Sequence, residues 1–376
     1  MARLTPPVLI SEKPAFEAML RRLASEPRLA VDTESNSLYA YQERVCLLQV
    51  SVPGVDYLVD PLASPELGEL RSVFADPSIE KVLHACEYDV ICLRRDFGFQ
   101  LPNLFDTMWA ARILGWPRVG LADILKERFD VTLDKRWQRY NWGKRPLPAD
   151  ALAYAQLDTH YLLRLRDIQM KELEKLDRVE EAQEVFADLA RSEAAPRDEA
   201  SAGDGFWRVK GAYDLDPASR AVLRELYLYR ESEARRLDRP PFKIIGDRTL
   251  VALAASRPAR LDHLRRVPGM TEVQIERHGR HVLRAVARGN QVQPPRPSPR
   301  TGFDPAVADR YERLRAWRKG VAARRGVDAD VVVSNAALMA LARRNPRDAS
   351  ALEGIDGLGP WRRRTYGEPI LEALRA

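Results

Sequence analysis

Leu29-Ala30-Val31-Asp32-Thr33-Glu34-Ser35 (LAVDTES) and, shortly after it, Val45 to Val52 (VCLLQVSV) are the stretches that decide the fold. The first is a short apolar strand, Leu29 to Val31, leading into Asp32, and the second is a β-rich run of branched and apolar residues. Tyr57 to Val59 reads as a third strand and Lys81 to His84 as a fourth. Helical periodicity then runs from Tyr88 through Phe97, Thr107 through Leu114, Leu121 through Phe129, and Asp150 through about Leu189. Three strands in succession, followed by strands mixed with helices, predict an α/β domain with a mixed sheet and flanking helices.

Three acidic signals fall where these elements end. Asp32 and Glu34, at i and i+2, leave the same face of the first strand. Two carboxylates on one face repel and raise each other's pKa unless a cation sits between them, a spacing that suits a hard divalent metal. A loop with Asp32 and Thr33 as turn or capping residues reads the same letters equally well. Asp89 stands near a helix start in KVLHACEYDV, where the macrodipole alone favours an acid. In LAYAQLDTHYLL, Tyr154 and Asp158 stand at i and i+4 on one helical face, either paired with each other or directed into a site. Taken together, four carboxylates can hold two Mg²⁺ or Mn²⁺ ions about 3.5 to 4 Å apart, as in-line displacement at phosphorus requires. A phenol beside them can orient an attacking water without ionising.

The formal charge of +6 conceals an asymmetry. Residues 1–205 carry 26 Lys and Arg against 34 Asp and Glu, a net of −8, while residues 206–376 carry 34 against 20, a net of +14. A basic half suits a polyanionic partner, because Lys and Arg that meet phosphates release condensed counterions. A solvated helical surface accounts for the charge equally well. The three cysteines, Cys46, Cys86 and Cys92, form no CxxC pair and read as small core residues rather than a disulfide framework or zinc site. The first residues, MARLTPPVLISEKP, lack a signal-peptide pattern, and no run approaches the ~20 apolar residues of a membrane span, so a cytoplasmic protein without a membrane partner is expected.

Two stretches rich in Pro, Gly, Ser and small residues, 191–205 and 289–302, read as linkers. They divide the chain into an expected catalytic domain at 1–195 and two smaller domains at 206–290 and 302–376. The smaller domains form a gapless internal repeat of 88 residues. Asp216-Pro217-Ala218 recurs as Asp304-Pro305-Ala306, Arg230 as Arg318, Pro258 as Pro346, Gly269 as Gly357 and Gly279 as Gly367. Apolar positions such as Leu223, Leu226 and Tyr227 have helical spacing, so each copy is expected to be a small all-α bundle.

The ordered set Asp32-x-Glu34, His84-x4-Asp89 and Tyr154-x3-Asp158 resembles the three exonuclease motifs of the DEDD superfamily in its tyrosine variant, and specifically the ribonuclease D family. Leu133-Asp134-Lys135 through Arg145-Pro146-Leu147 also resembles that family's signature, and Ala155 to Leu163 is similar to the related exosome-associated exonuclease. The repeat resembles the helicase-and-ribonuclease-D C-terminal (HRDC) domain, present twice. The resemblance covers nearly the whole chain. It implies a ribonuclease H-like sheet and two divalent cations, Mg²⁺ or Mn²⁺. Asp32 would bridge both metals, Glu34 and Asp158 would complete one site, Asp89 would support the second, and Tyr154 would position the nucleophilic water. Asn141-Trp142 departs from the family's frequent Asp-Trp, which leaves the catalytic set untouched.

The implied activity is hydrolytic 3′ to 5′ trimming of RNA 3′ ends, such as those of transfer-RNA precursors, by a monomer that releases nucleoside 5′-monophosphates. A DNA exonuclease of repair and a noncatalytic nucleic-acid-binding scaffold are the competing readings. Trp137, Tyr140 and Trp142 interleave with Lys135, Arg136, Arg139, Lys144 and Arg145, a mixture suited to stacking bases and meeting phosphates. A Trp-anchored loop packed on the domain would have the same composition. His84 is expected to pack or hydrogen-bond at a strand end, His160 to be solvated on another helical face. Arg230/Arg318 and Tyr229/Trp317 are open to nucleic-acid contact or to the core.

Overall fold

The computed structural model describes residues 4–63, 67–193, 204–296 and 304–375. Residues 194–203 of the first expected linker and 297–302 of the second lie outside these described residues.

The N-terminal part is a six-stranded mixed sheet with helices on both faces. It is built from β1 (Val8–Ile10), α1 (Lys13–Ala24), β2 (Arg28–Ser35), β3 (Val45–Val52), β4 (Val55–Val59), α2 (Leu70–Ala75), β5 (Glu80–Leu83), α3 (Glu87–Phe97), β6 (Leu104–Asp106), α4 (Thr107–Leu114), α5 (Leu121–Phe129), α6 (Ala149–His160), α7 (Leu162–Lys175) and α8 (Val179–Ala190). The strand order is β1-β4-β3-β2-β5-β6. β2, β3 and β4 form an antiparallel meander, while β5 and β6 continue from β2 in parallel and β1 adds in parallel to β4. All eight residues of β3 are buried, as a central strand covered on both faces requires.

Three sequence expectations need correction. Asp32 and Glu34 do not follow their strand but lie inside it, because β2 runs on to Ser35 in register with β3. β1 and β6, three residues each, are additional strands too short for a periodicity to register. The single helix expected from Asp150 to about Leu189 is three, broken at Tyr161 and again after Lys175. The second break turns on Asp177, which takes a left-handed backbone (φ 53°) that Asp tolerates without the usual glycine signal.

Both repeats have the same layout. The first comprises α9 (Pro217–Arg236), α10 (Pro241–Ile244), α11 (Asp247–Ser256), α12 (Leu261–Leu264) and α13 (Glu272–Gly289); the second comprises α14 (Pro305–Arg325), α15 (Ala329–Val332), α16 (Asn335–Arg344) and α17 (Pro360–Arg375), with a 3₁₀ turn at Ser350–Leu352 in place of α12. Each long first helix opens with Pro after a capping Asp: Asp216 accepts from the Ser219 N–H at 3.1 Å and Asp304 from the Ala306 N–H at 3.0 Å. Each copy has its own apolar core, around Leu223, Leu226 and Val282 in one and Leu314, Leu338 and Ile370 in the other.

Contacts between residues divide the chain into two units, one drawn from residues 1–35, 45–194 and 303–376, the other from 36–44 and 195–302. In the first unit the second repeat packs on α8. Arg325 grips Glu181 with both guanidinium nitrogens (2.9 and 2.5 Å), Arg362 meets Glu184 at 3.0 Å, and Arg112 of α4 meets Asp330 at 2.5 Å. The approach is close at Gly359, where a Cβ would lie 2.3 Å from the Glu184 side chain. In the second unit, the loop 36–44 joins the first repeat. The Tyr41 N–H donates to Asp238 at 3.0 Å, and the Lys243 ammonium lies 4.0 Å from the centre of the Tyr39 ring.

Candidate active site

The geometry of β2 explains why its two acids converge. As i and i+2 on one strand, Asp32 and Glu34 project from the face covered by α6, whose one-turn spacing puts Tyr154 and Asp158 over them. One carboxylate oxygen from each of Asp32, Glu34 and Asp158 lies within 4.8 Å of the others. Asp89, in the first turn of α3, stands beside this group and accepts a hydrogen bond from the Thr33 hydroxyl. Thus the three separated sequence signals meet in one place.

The electrostatics are those of a site that needs a cation. Burial first, then the charges of Asp89, Asp158 and Glu34, hold the Asp32 carboxyl well above the usual carboxylate range. Glu34 and Asp158 are raised as well, by burial and then by their acidic neighbours. Asp89 is pushed up to about 7, chiefly by burial, with the Thr33 hydrogen bond opposing and Asp106 adding repulsion. No Lys or Arg among the described residues forms an ion pair with Asp32, Glu34, Asp89 or Asp158. An all-oxygen set of this charge fits a hard divalent cation. Tyr154 is 7% exposed, and burial followed by the charges of Asp158, Glu34 and Asp32 lifts its phenol well above the ordinary value of 10. In the metal-free protein it is a neutral donor near neutral pH.

Supporting residues that sequence reasoning missed surround this set. Gln138 hydrogen-bonds the Tyr154 phenol. Asp106, fully buried, caps α4 by accepting from the Trp109 N–H at 2.8 Å and takes the Cys86 N–H at 2.7 Å, which fixes the turn before Asp89. His84 behaves as expected at its strand end, bonded to the Thr107 hydroxyl at 2.9 Å, with burial pushing it down to about 4 so that it is neutral. His160 does not: its Nδ1 lies 2.8 Å from Asp56, and Gln156 donates to the same carboxylate at 2.7 Å. Burial pushes Asp56 up, but these bonds and one from Ser51 outweigh it and hold the carboxyl below its ordinary value. The network pins α6 to β3 and β4, and a polar helical face adjoining an apolar one gave no hint of a partner in the sheet.

The aromatic and basic segment divides. Trp142, 1% exposed, is packed with Cys46, Leu47 and Tyr154, so it cannot stack a base and is corrected from nucleic-acid contact to core. Arg145 is corrected likewise. Its guanidinium is spent on Asp60 (2.6 and 2.7 Å) and on the carbonyls of Cys46 and Trp142 (2.7 Å each). Arg136 pairs with Asp134 at 2.6 Å yet stays exposed. Lys135, Arg139 and Lys144 are exposed, and Trp137 and Tyr140 are half-buried in an edge-to-face chain that leads to Trp142. In the repeats, Arg230 and Arg318 are buried and make the same bonds 88 residues apart, Arg230 to Ile245 O and Asp247, Arg318 to Val333 O and Asn335. They are clamps within each bundle and have no surface for nucleic acid.

Comparison with known proteins agrees with this fold. The 3′-5′ exonuclease family matches residues 7–174, and the HRDC domain matches twice, at 219–286 and 307–374. The exosome complex exonuclease RRP6 of Saccharomyces cerevisiae is 31% identical over 322 residues, which cover 79% of this chain and 43% of the yeast protein. The chain thus spans less than half the length of that relative. The ribonuclease D of Acidiphilium cryptum is 30% identical over 287 residues, covering 75% of this chain and 71% of its own. The crystal structure of Escherichia coli RNase D, an exoribonuclease involved in structured RNA processing, matches over 99% of both chains with a TM-score of 0.73, a likeness of fold at 24% identity. An exonuclease sheet carrying its acids on β2, α3 and α6, followed by two HRDC domains, places this chain in the ribonuclease D family.

Proposed function

We propose that this chain trims RNA from the 3′ end by metal-dependent hydrolysis, releasing nucleoside 5′-monophosphates, and that it acts as a cytoplasmic monomer on structured or precursor RNA. The observation that carries the reading is the convergence of Asp32, Glu34 and Asp158 within 4.8 Å, with Asp89 beside them and no basic side chain among the described residues paired with them. Two divalent cations, Mg²⁺ or Mn²⁺, would be held by these four carboxylates. When bound, they supply Lewis acidity at the phosphoryl group and a nucleophile available near neutral pH.

The remaining work falls to the chain's own residues. Tyr154, kept protonated, donates its hydroxyl hydrogen bond to orient the attacking water toward the scissile phosphorus. Thr33 holds Asp89, and the Asp56 network holds α6, so that the acids face one another before substrate arrives. Lys135, Arg139 and Lys144, exposed on the segment leading to α6, would meet the RNA backbone, with Arg136, Trp137 and Tyr140 at its margin. We further propose a division into a catalytic domain, 1–195, and two HRDC domains, 206–290 and 302–376.

The test compares matched RNA and DNA oligonucleotides with 3′ overhangs in Mn²⁺ or Mg²⁺. Stepwise RNA shortening with little DNA cleavage is the expected result. Preferential cleavage of DNA would move the protein to repair, and tight binding without cleavage would make it a scaffold.

A further inference from the structure

The strand register places an unexplained amide beside the acids. Gln49 of β3 pairs directly with Asp32 of β2, so the two side chains leave the same face of the sheet with Cβ atoms about 4.5 to 5.5 Å apart. On its other side Gln49 is opposite Leu58 of β4, and Leu47 precedes it on the same face. Leu47 and Leu58 pack with Tyr154, Ala155 and Trp142, which puts Gln49 under α6, at the floor of the site.

Gln49 is fully buried, and neither its Nε2 nor its Oε1 has a hydrogen-bond partner among the described residues. Its polar neighbours on this face are satisfied. Ser51 lies 2.7 Å from Thr159, and Asp56 is bonded to Gln156 and His160. An unpaired buried amide destabilises the fold, and every other residue of VCLLQVSV except Ser51 is apolar or a cysteine, so Leu or Met would fit this position better. A local rule broken at so exposed a cost is expected where function compensates. The neighbour with hydrogen-bonding capacity to spare is Asp32, whose carboxylate has up to four acceptor positions and accepts a backbone bond from Thr33.

We propose that Gln49 is a positioning residue for Asp32, its amide N–H holding the carboxylate through one water in the orientation that faces Glu34 and Asp158. Carboxylates that ligate metals are themselves hydrogen-bonded, and loss of such a partner lowers metal affinity about 10- to 100-fold. The inference rests on the metal-site reading above and deepens it.

Gln49→Met keeps the length and volume and removes only the amide. Mn²⁺ affinity, read by paramagnetic resonance of the free ion, and melting temperature in EDTA are measured on the full chain, wild type and variant. The expected result is Mn²⁺ binding weakened at least about 10-fold with a melting temperature in EDTA equal to or above that of wild type, since the lost amide makes no direct hydrogen bond to the protein. Unchanged Mn²⁺ affinity would overturn the proposal. So would a lower melting temperature in EDTA, which would make the amide part of the fold. Failure of the wild type itself to bind Mn²⁺ would instead overturn the metal-site reading.

Discussion

Arg362 of the second repeat and Glu184 of α8 form an ion pair at 3.0 Å in which the two side chains are only 6% and 7% exposed. The Trp361 N–H also donates to Glu184 at 2.6 Å, and Arg362 reaches the carbonyls of Val331 and Val332. Beside it, Glu181 is fully buried under Arg325. Charges desolvated to this degree lock a surface in place only while both partners remain.

Removing one partner should therefore be costly. Glu184→Ala is expected to destabilise by about 3–5 kcal/mol, because Arg362 would be left buried and uncompensated. Urea unfolding measures it, and a loss below about 1 kcal/mol would mean the pair behaves as an exposed one. Deleting residues 303–376 should likewise lower the stability of the exonuclease part, whereas the simpler division of labour, with both repeats serving only to hold RNA, predicts weaker binding alone.

The acids of the site should give the metal-free protein an inverted pH dependence. Asp32, Glu34, Asp89 and Asp158 all have folded-state pKa values raised above the unfolded ones, with Asp89 at about 7. The folded state then binds more protons than the unfolded state, so their contribution to stability is full below about pH 4 and is lost as pH rises through the folded values. Melting temperature in EDTA should fall from this source between about pH 4 and 7, and the rise on adding Mg²⁺ or Mn²⁺ should grow with pH over the same window. A metal-induced rise independent of pH would contradict the assignment.

Tyr154→Phe should separate positioning from proton transfer. Since the phenol is held far above 10, its loss removes the hydrogen bond to the water and the one with Gln138, and no titrating group. A fall in kcat of roughly 10- to 100-fold, corresponding to about 1.5–3 kcal/mol, with KM little changed and the same alkaline limb in the pH profile, is expected. Disappearance of an alkaline pKa would show that the tyrosine ionises.

Arg230→Met in the first repeat should lower the stability of that bundle while leaving the salt dependence of RNA binding unchanged, because its guanidinium is engaged with Asp247 and Ile245 O. Urea unfolding and a binding titration across salt concentrations check the two halves of this statement. A shallower salt slope would make it a phosphate contact.

Much of this architecture was legible in the sequence for identifiable reasons. Val45 to Val52 is long and apolar enough to declare itself, and Thr107 to Leu114 and Leu121 to Phe129 have clean helical spacing ended by Gly115 and by Asp130 in left-handed conformations. Asp32, Glu34, Tyr154 and Asp158 could be grouped because strand and helix periodicities put each pair on one face. Gln49 could not, since only the β2–β3 register brings it to Asp32. Net charge concealed the docking of the second repeat, although comparison of the copies contains the signal. Arg325, Asp330 and Arg362 correspond, 88 residues earlier, to Leu237, Phe242 and Gln274, so the first copy lacks the charges that meet Arg112, Glu181 and Glu184.

The central claim is that four converging carboxylates make this chain a metal-dependent exoribonuclease. Single-turnover cleavage of a 3′-overhanging RNA by wild type and Asp32→Asn, in Mn²⁺ and in EDTA, tests it most directly. The account predicts stepwise shortening from the 3′ end by wild type in Mn²⁺, none in EDTA, and a rate at least about 100-fold lower for the variant, beyond the loss typical of a group that only supports a ligand. Cleavage by Asp32→Asn at the wild-type rate, or cleavage undiminished in EDTA, would contradict it.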